Sequence, residues 1–172
     1  MAGLTLVRLV PSMMALVAWA RARGVPVGSD DTGYALHAAL RATLGDVGPQ
    51  PWMLRPRRDS VELLGYSRAA PEEVDAARLL ILDPEAGHAL GLADLTTATM
   101  PTDWQVGLVL SFEARVRPVV RESRTKSELD AAVVARARRP DADRAQVYHE
   151  WLARELERRN AAELISSRLV SF

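Results

Sequence analysis

Two side chains have the types and spacing to move a proton together: Tyr34 and His37, in the stretch Thr32-Gly33-Tyr34-Ala35-Leu36-His37-Ala38-Ala39-Leu40-Arg41. Three apart on a helix they are surface neighbours, and a phenol beside an imidazole can serve one cluster of substrate atoms as acid and base. On spacing alone such a pair is more often two packing residues with satisfied polar tips, so the surroundings decide. The other histidines offer less. His88 falls in a turn-rich segment between Pro84 and Gly91 and reads as structural, and His149 follows Tyr148, a neighbour on a different helix face. None of the three is spaced with another for chelation, and no Gly-rich phosphate loop, GxSxG elbow or HExxH pattern is present, so no metal or other cofactor is expected.

The arginines form two further groups. Glu113, Arg115 and Arg117 alternate along Leu108 to Pro118, with Arg121 beyond, and make either a solvated strand edge or a phosphate-contacting face. Arg55, Arg57 and Arg58 fall at a predicted hairpin tip, as ordinary loop charge or as a wedge against a nucleic-acid backbone. Low aromatic content argues against broad base stacking on a sheet.

The elements that must position these residues follow from periodicity. Leu4 to Val10 reads as a strand, and Ser12 caps a helix through Met13, Leu16, Trp19 and Ala20, with the Met13-Met14 pair in the core. Asp31 or Thr32 caps the Tyr34/His37 helix, whose Leu36, Leu40 and Leu44 form one apolar stripe ending at Gly45. Trp52 to Arg55 and Val61 to Tyr66 form a hairpin; Pro71 opens a helix burying Val74, Ala77, Leu80 and Ile81; Leu95 to Met100 is a strand. The order β-α-β-β-α-β is the ferredoxin-like arrangement.

Further on, Leu108 to Pro118 reads as a strand, Val119 to Arg139 as a linker with a short helix, Asp141 to Asn160 as an amphipathic helix and Leu164 to Phe172 as a strand. The expected fold is α+β: a ferredoxin-like domain over residues 1–104, then the first part of a second over 105–172, with the chain ending before that second sheet is complete.

Composition sets bounds. The 172 residues carry 22 basic and 22 acidic side chains, unevenly placed: residues 1–110 hold nine Arg against twelve acids and residues 111–172 hold thirteen Lys or Arg against ten. Among the basic residues only Lys126 is not arginine, which points to genomic base composition ahead of a demand for forked phosphate contacts. With no cysteine, disulfides and thiolate metal sites are excluded and a cytoplasmic location is expected. Met1 to Val17 contains Arg8 and Pro11 and reads as neither signal peptide nor membrane span, so no membrane partner is expected.

The sequence resembles the CasE-type CRISPR-repeat endoribonucleases, the RNA-processing subunits of type I-E Cascade. The resemblance is carried by Leu4-Thr5-Leu6-Val7-Arg8-Leu9-Val10, by Tyr34-Ala35-Leu36-His37, by Phe112-Glu113-Ala114-Arg115-Val116-Arg117-Pro118, and by the helix from Val147 to Leu156. It implies tandem ferredoxin-like domains and a metal-independent cut at the base of the repeat hairpin, leaving a 2′,3′-cyclic phosphate and a 5′-hydroxyl. His37 would transfer the proton, for which a histidine's ordinary pKa is well placed. Tyr34 would orient or deprotonate the nucleophile, and nearby cations would stabilise the transition state. Relatives often carry a basic residue where Ala38 stands, so that by the resemblance one phosphate contact is either missing or moved to Arg41. The implied partners are the CRISPR repeat RNA hairpin, kept as product, and other Cascade subunits, with no small-molecule cofactor. A non-catalytic hairpin-binding subunit of the same complex, and an unrelated ferredoxin-like interaction module, are the competing expectations.

Overall fold

Alternation in the first strand sets the architecture of the N-terminal part. In the computed structural model, which describes residues 3–28, 32–80, 82–121 and 127–170, β1 (Thr5–Leu9) buries Thr5, Val7 and Leu9 and turns Leu6 and Arg8 to the other side. It pairs antiparallel with β3 (Val61–Ser67), matching Val7 to Gly65 and Leu9 to Leu63, and with β4 (Thr96–Thr99), matching Thr5 to Thr99. β3 pairs with β2 (Trp52–Pro56), giving a four-stranded antiparallel sheet in the order β2-β3-β1-β4.

Helices cover one face of this sheet. α1 (Met13–Ala22) starts at Ser12, whose hydroxyl accepts from the Ala15 N–H at 3.3 Å, and buries Leu16, Trp19 and Ala20. Met13 packs on the core as expected, but Met14 is 84% exposed, because adjacent helix positions face about 100° apart. α2 (Gly33–Leu44) buries the predicted stripe Leu36, Leu40 and Leu44 and ends at Gly45, φ 58°. Thr32 occupies its cap position without a side-chain hydrogen bond; Asp31 lies outside the described residues.

α3 (Pro71–Leu79) buries Val74, with Ala77 against the core. Leu80, expected on that face, is 73% exposed, since the helix has ended by then; Ile81 lies outside the described residues. The Pro84 to Gly91 segment is a helix, α4 (Pro84–Leu90), with His88 exposed upon it. Asp83 clamps α4 to α1: its carboxylate accepts from the Ala86 N–H at 3.0 Å and the Trp19 indole N–H at 3.0 Å, and pairs with Arg23 at 3.0 Å. The result is a mixed α+β unit, with helices and antiparallel sheet.

The chain divides into two compact units, residues 1–110 and 111–172. In the second, β5 (Val119–Arg121) pairs antiparallel with β6 (Glu128–Asp130), followed by α5 (Ala131–Arg138) and α6 (Arg144–Arg158). This differs from the expected β-α-β. Leu108 to Pro118 forms no strand: residues 101–117 are exposed and irregular, so Arg115 and Arg117 lie on no sheet face, while Arg121 closes β5. Alternation gives a segment extended tendency, but a strand also needs a ladder partner, and the ladder of this unit is taken by Val119–Arg121 and Glu128–Asp130. Leu164 to Val170 likewise forms no strand; Phe172 lies outside the described residues.

Asp130 holds the small second unit together. Its carboxylate caps α5 by accepting from the Ala132 and Val133 N–H groups at 2.7 and 3.3 Å, and takes the Tyr148 hydroxyl of α6 at 2.5 Å. The Trp151 indole N–H donates to the Val119 carbonyl at 3.1 Å, over a core of Ala131, Ala132, Ala142 and Val147. Burial pushes the Asp130 carboxyl up, but the bonds from Tyr148 and the two amides outweigh it and hold the group below its usual 3.8. The same bond to Asp130, with burial, raises the Tyr148 hydroxyl above its usual 10.0. A lowered carboxyl stabilises above its unfolded pKa and loses that contribution as pH falls; a raised phenol stabilises below its own and loses it as pH rises. Tyr148→Phe is therefore expected to cost the second unit about 2 kcal/mol near neutral pH and to remove its alkaline loss of stability, read as faster amide exchange in α5 and α6. Unchanged exchange would contradict the clamp.

Candidate functional site

Tyr34 and His37 lie to one side of the buried stripe of Leu36 and Leu40 on α2, and both are exposed, Tyr34 by 60%. Neither makes a hydrogen bond to another described residue. The alternative of two packing residues with satisfied tips is thereby excluded. Arg41, one turn further on, continues the stripe and is also exposed.

His37 and Arg41 line a groove of about 320 Å³ whose other wall comes from the loop after α2 and from the end of β3: Asp46, Gln50, Tyr66 and Arg68. Tyr34 lies on the same helix stripe but outside the groove lining. Three contacts fix this wall. The Gln50 N–H donates to the Tyr66 carbonyl at 2.7 Å, the Tyr66 N–H to the Pro51 carbonyl at 3.0 Å, and the Ser67 hydroxyl to the Val47 carbonyl at 2.8 Å. Gly65 makes the approach possible, since a Cβ there would sit 2.7 Å from the Trp52 Cβ and 2.8 Å from the Pro51 carbonyl oxygen.

The groove cations differ in their commitments. The Arg41 guanidinium is bonded to the Asp46 carboxylate, whereas Arg68 is exposed and has no ion-pair partner among the described residues. The sequence reading missed Tyr66 and Arg68. Its available signal was their i, i+2 spacing around buried Ser67, which turns both to the side away from the core; what it lacked was the loop that brings β3 beside α2.

The hairpin-tip arginines lie elsewhere. Arg57 and Arg58 line a second groove with Ser12 and Met14. Arg57 is committed: its Nε donates to Glu62 at 2.6 Å, and Arg8 binds the other oxygen of that carboxylate at 2.8 Å. Hydrogen bonds from Arg8 and then Arg57 hold the Glu62 carboxyl below its usual 4.5. Arg57 is thus a structural cation of the sheet, and Arg58 at the tip has no ion-pair partner among the described residues. Arg115, Arg117 and Arg121 are exposed in the second unit.

Among the described residues no cluster of three or more His, Asp or Glu side chains could hold a metal ion, and no helix is long and apolar enough to cross a membrane. No curated protein and no solved structure matches the chain. A family model spanning both units does match, over residues 13–168, and the chain belongs to the family described as CRISPR associated protein.

Proposed function

We propose that the chain is a metal-independent endoribonuclease that cuts CRISPR repeat RNA at the base of its hairpin and stays bound to the product within a Cascade complex. One observation carries the reading: His37 is exposed on the rim of a groove that also holds Arg41 and Arg68, near the exposed Tyr34 of the same helix, in a CRISPR-associated protein. The ribose 2′ oxygen attacks the adjacent phosphorus; the O2′–P bond forms as the P–O5′ bond breaks, one proton leaves the 2′-hydroxyl and one reaches O5′. His37 carries this proton transfer, and Tyr34, three residues earlier on the same face, orients the 2′-hydroxyl. The groove arginines offset the charge that grows on the phosphoryl oxygens.

The strand order β4-β1-β3-β2, joined as β-α-β-β-α-β, supports a ferredoxin-like reading of the first unit. That the second unit begins a second such domain rests on the resemblance alone. The test is incubation of the purified chain with its cognate repeat hairpin in EDTA. A single cut at the hairpin base, with the fragment retained, is the expected result. Stoichiometric binding of RNA that stays intact over hours would make the chain a hairpin-binding subunit instead, and absence of RNA affinity at low salt would remove both readings.

A further inference from the structure

We infer that the RNA-facing site extends across the groove from His37 to the end of β3, with Arg68 contacting the backbone phosphate at the cut and Tyr66 stacking on a base beside it. This rests on the endoribonuclease reading. A phosphate whose charge increases during reaction is stabilised most by a cation that is not already shared with a carboxylate. Arg41 is engaged by Asp46 on the α2 side, while Arg68, on the opposite wall, has its guanidinium free of ion pairs among the described residues. Its forked donors suit two phosphate oxygens better than a point charge would.

Placement strengthens the inference. Tyr66 is tied to the loop through both its N–H and its carbonyl, and Ser67 is tied to Val47, so the backbone carrying Tyr66 and Arg68 is held before RNA arrives. Tyr66 keeps 37% of its surface exposed at a predominantly polar groove mouth. A phenol ring partly open to solvent on a backbone held in place is a stacking platform for an unpaired base, as at the single-stranded flank of a hairpin. Gln50 on the same wall adds an amide that can both donate and accept. The groove, at about 320 Å³, is within the size range of sites for small ligands, hence for one nucleotide.

The experiment measures hairpin affinity across a salt series and the single-turnover cleavage rate for the wild type, Arg68→Ala, Arg68→Lys, Tyr66→Ala and Tyr66→Phe. Arg68→Ala is expected to shallow the salt slope of log affinity by about one phosphate contact and to slow cleavage about 100-fold, with partial recovery in Arg68→Lys and on adding guanidinium. Tyr66→Ala is expected to weaken binding about tenfold while Tyr66→Phe does not. If the wild type does not cut but the slope and the Tyr66 effect appear, the phosphate and base contacts stand and the nuclease reading falls. If the wild type cuts and both Ala variants match it in slope, affinity and rate, the extension across the groove is wrong.

Discussion

Replacing His37 with alanine is expected to slow cleavage of the repeat hairpin about 10³-fold, the range general acid–base groups contribute, while hairpin affinity stays within about twofold because the phosphate contacts that supply it are untouched. The folded state should not suffer. His37 is exposed, makes no hydrogen bond to another described residue and lies mid-helix in α2, where alanine is the better helix former. Rate and affinity therefore separate cleanly in this variant. A loss of binding equal to the loss of rate would place His37 in RNA capture instead of proton transfer, and an unchanged rate would remove it from the chemistry.

The largest expected effect on folding is at Gly91, far in sequence from the groove residues. Gly91 ends α4 with φ 67°, and a Cβ there would lie 2.5 Å from the Val10 carbonyl oxygen and 3.2 Å from its carbon. Both obstacles are backbone, so no rotamer change relieves them, and the turn from β1 into α1 would have to move. Gly91→Ala is expected to cost about 3 to 5 kcal/mol, combining the left-handed backbone with overpacking. That is a large share of what holds a domain together, so the melting transition of the first unit should fall by about 10 °C or more. Gly24 is the internal control: its φ is 65° but, its chain neighbours aside, no atom of the described residues lies within 4 Å of its Cβ position. Gly24→Ala should cost about 1 to 2 kcal/mol from the left-handed backbone alone. Equal losses at the two positions would show that the contact with Val10 contributes nothing.

Much of the first unit was legible because its signals are local. Leu36, Leu40 and Leu44 recur at helix spacing and are all buried, and the short apolar run from Leu4 to Val10 before Pro11 contains β1. Even the end of α2 at Gly45 was visible, since glycine alone enters the left-handed region without penalty. Leu108 to Pro118 shows where local signals stop. It has the alternation of a strand but forms no ladder with another described strand, and strand formation is a property of a pair.

The candidate site divides the same way. Tyr34, His37 and Arg41 share one helix face and could be read from spacing, and the exposure of Tyr34 and His37 removes the packing alternative. Tyr66 and Arg68 reach the groove only through the loop from Gly45 to Pro51, a long-range pairing that no spacing rule contains. The charges of Arg41 and Arg57 were equally visible, but their neutralisation by Asp46 and Glu62 is a property of the fold.

The chemistry of the cut ends tests the account most directly. Mass analysis of the fragments made from the repeat hairpin in EDTA should show a 2′,3′-cyclic phosphate on the upstream piece and a 5′-hydroxyl on the downstream one, as attack by the ribose 2′ oxygen requires. Fragments ending in a 3′-hydroxyl and a 5′-phosphate would mean that water or a metal-bound hydroxide made the attack, and the role given to Tyr34 and His37 would be wrong.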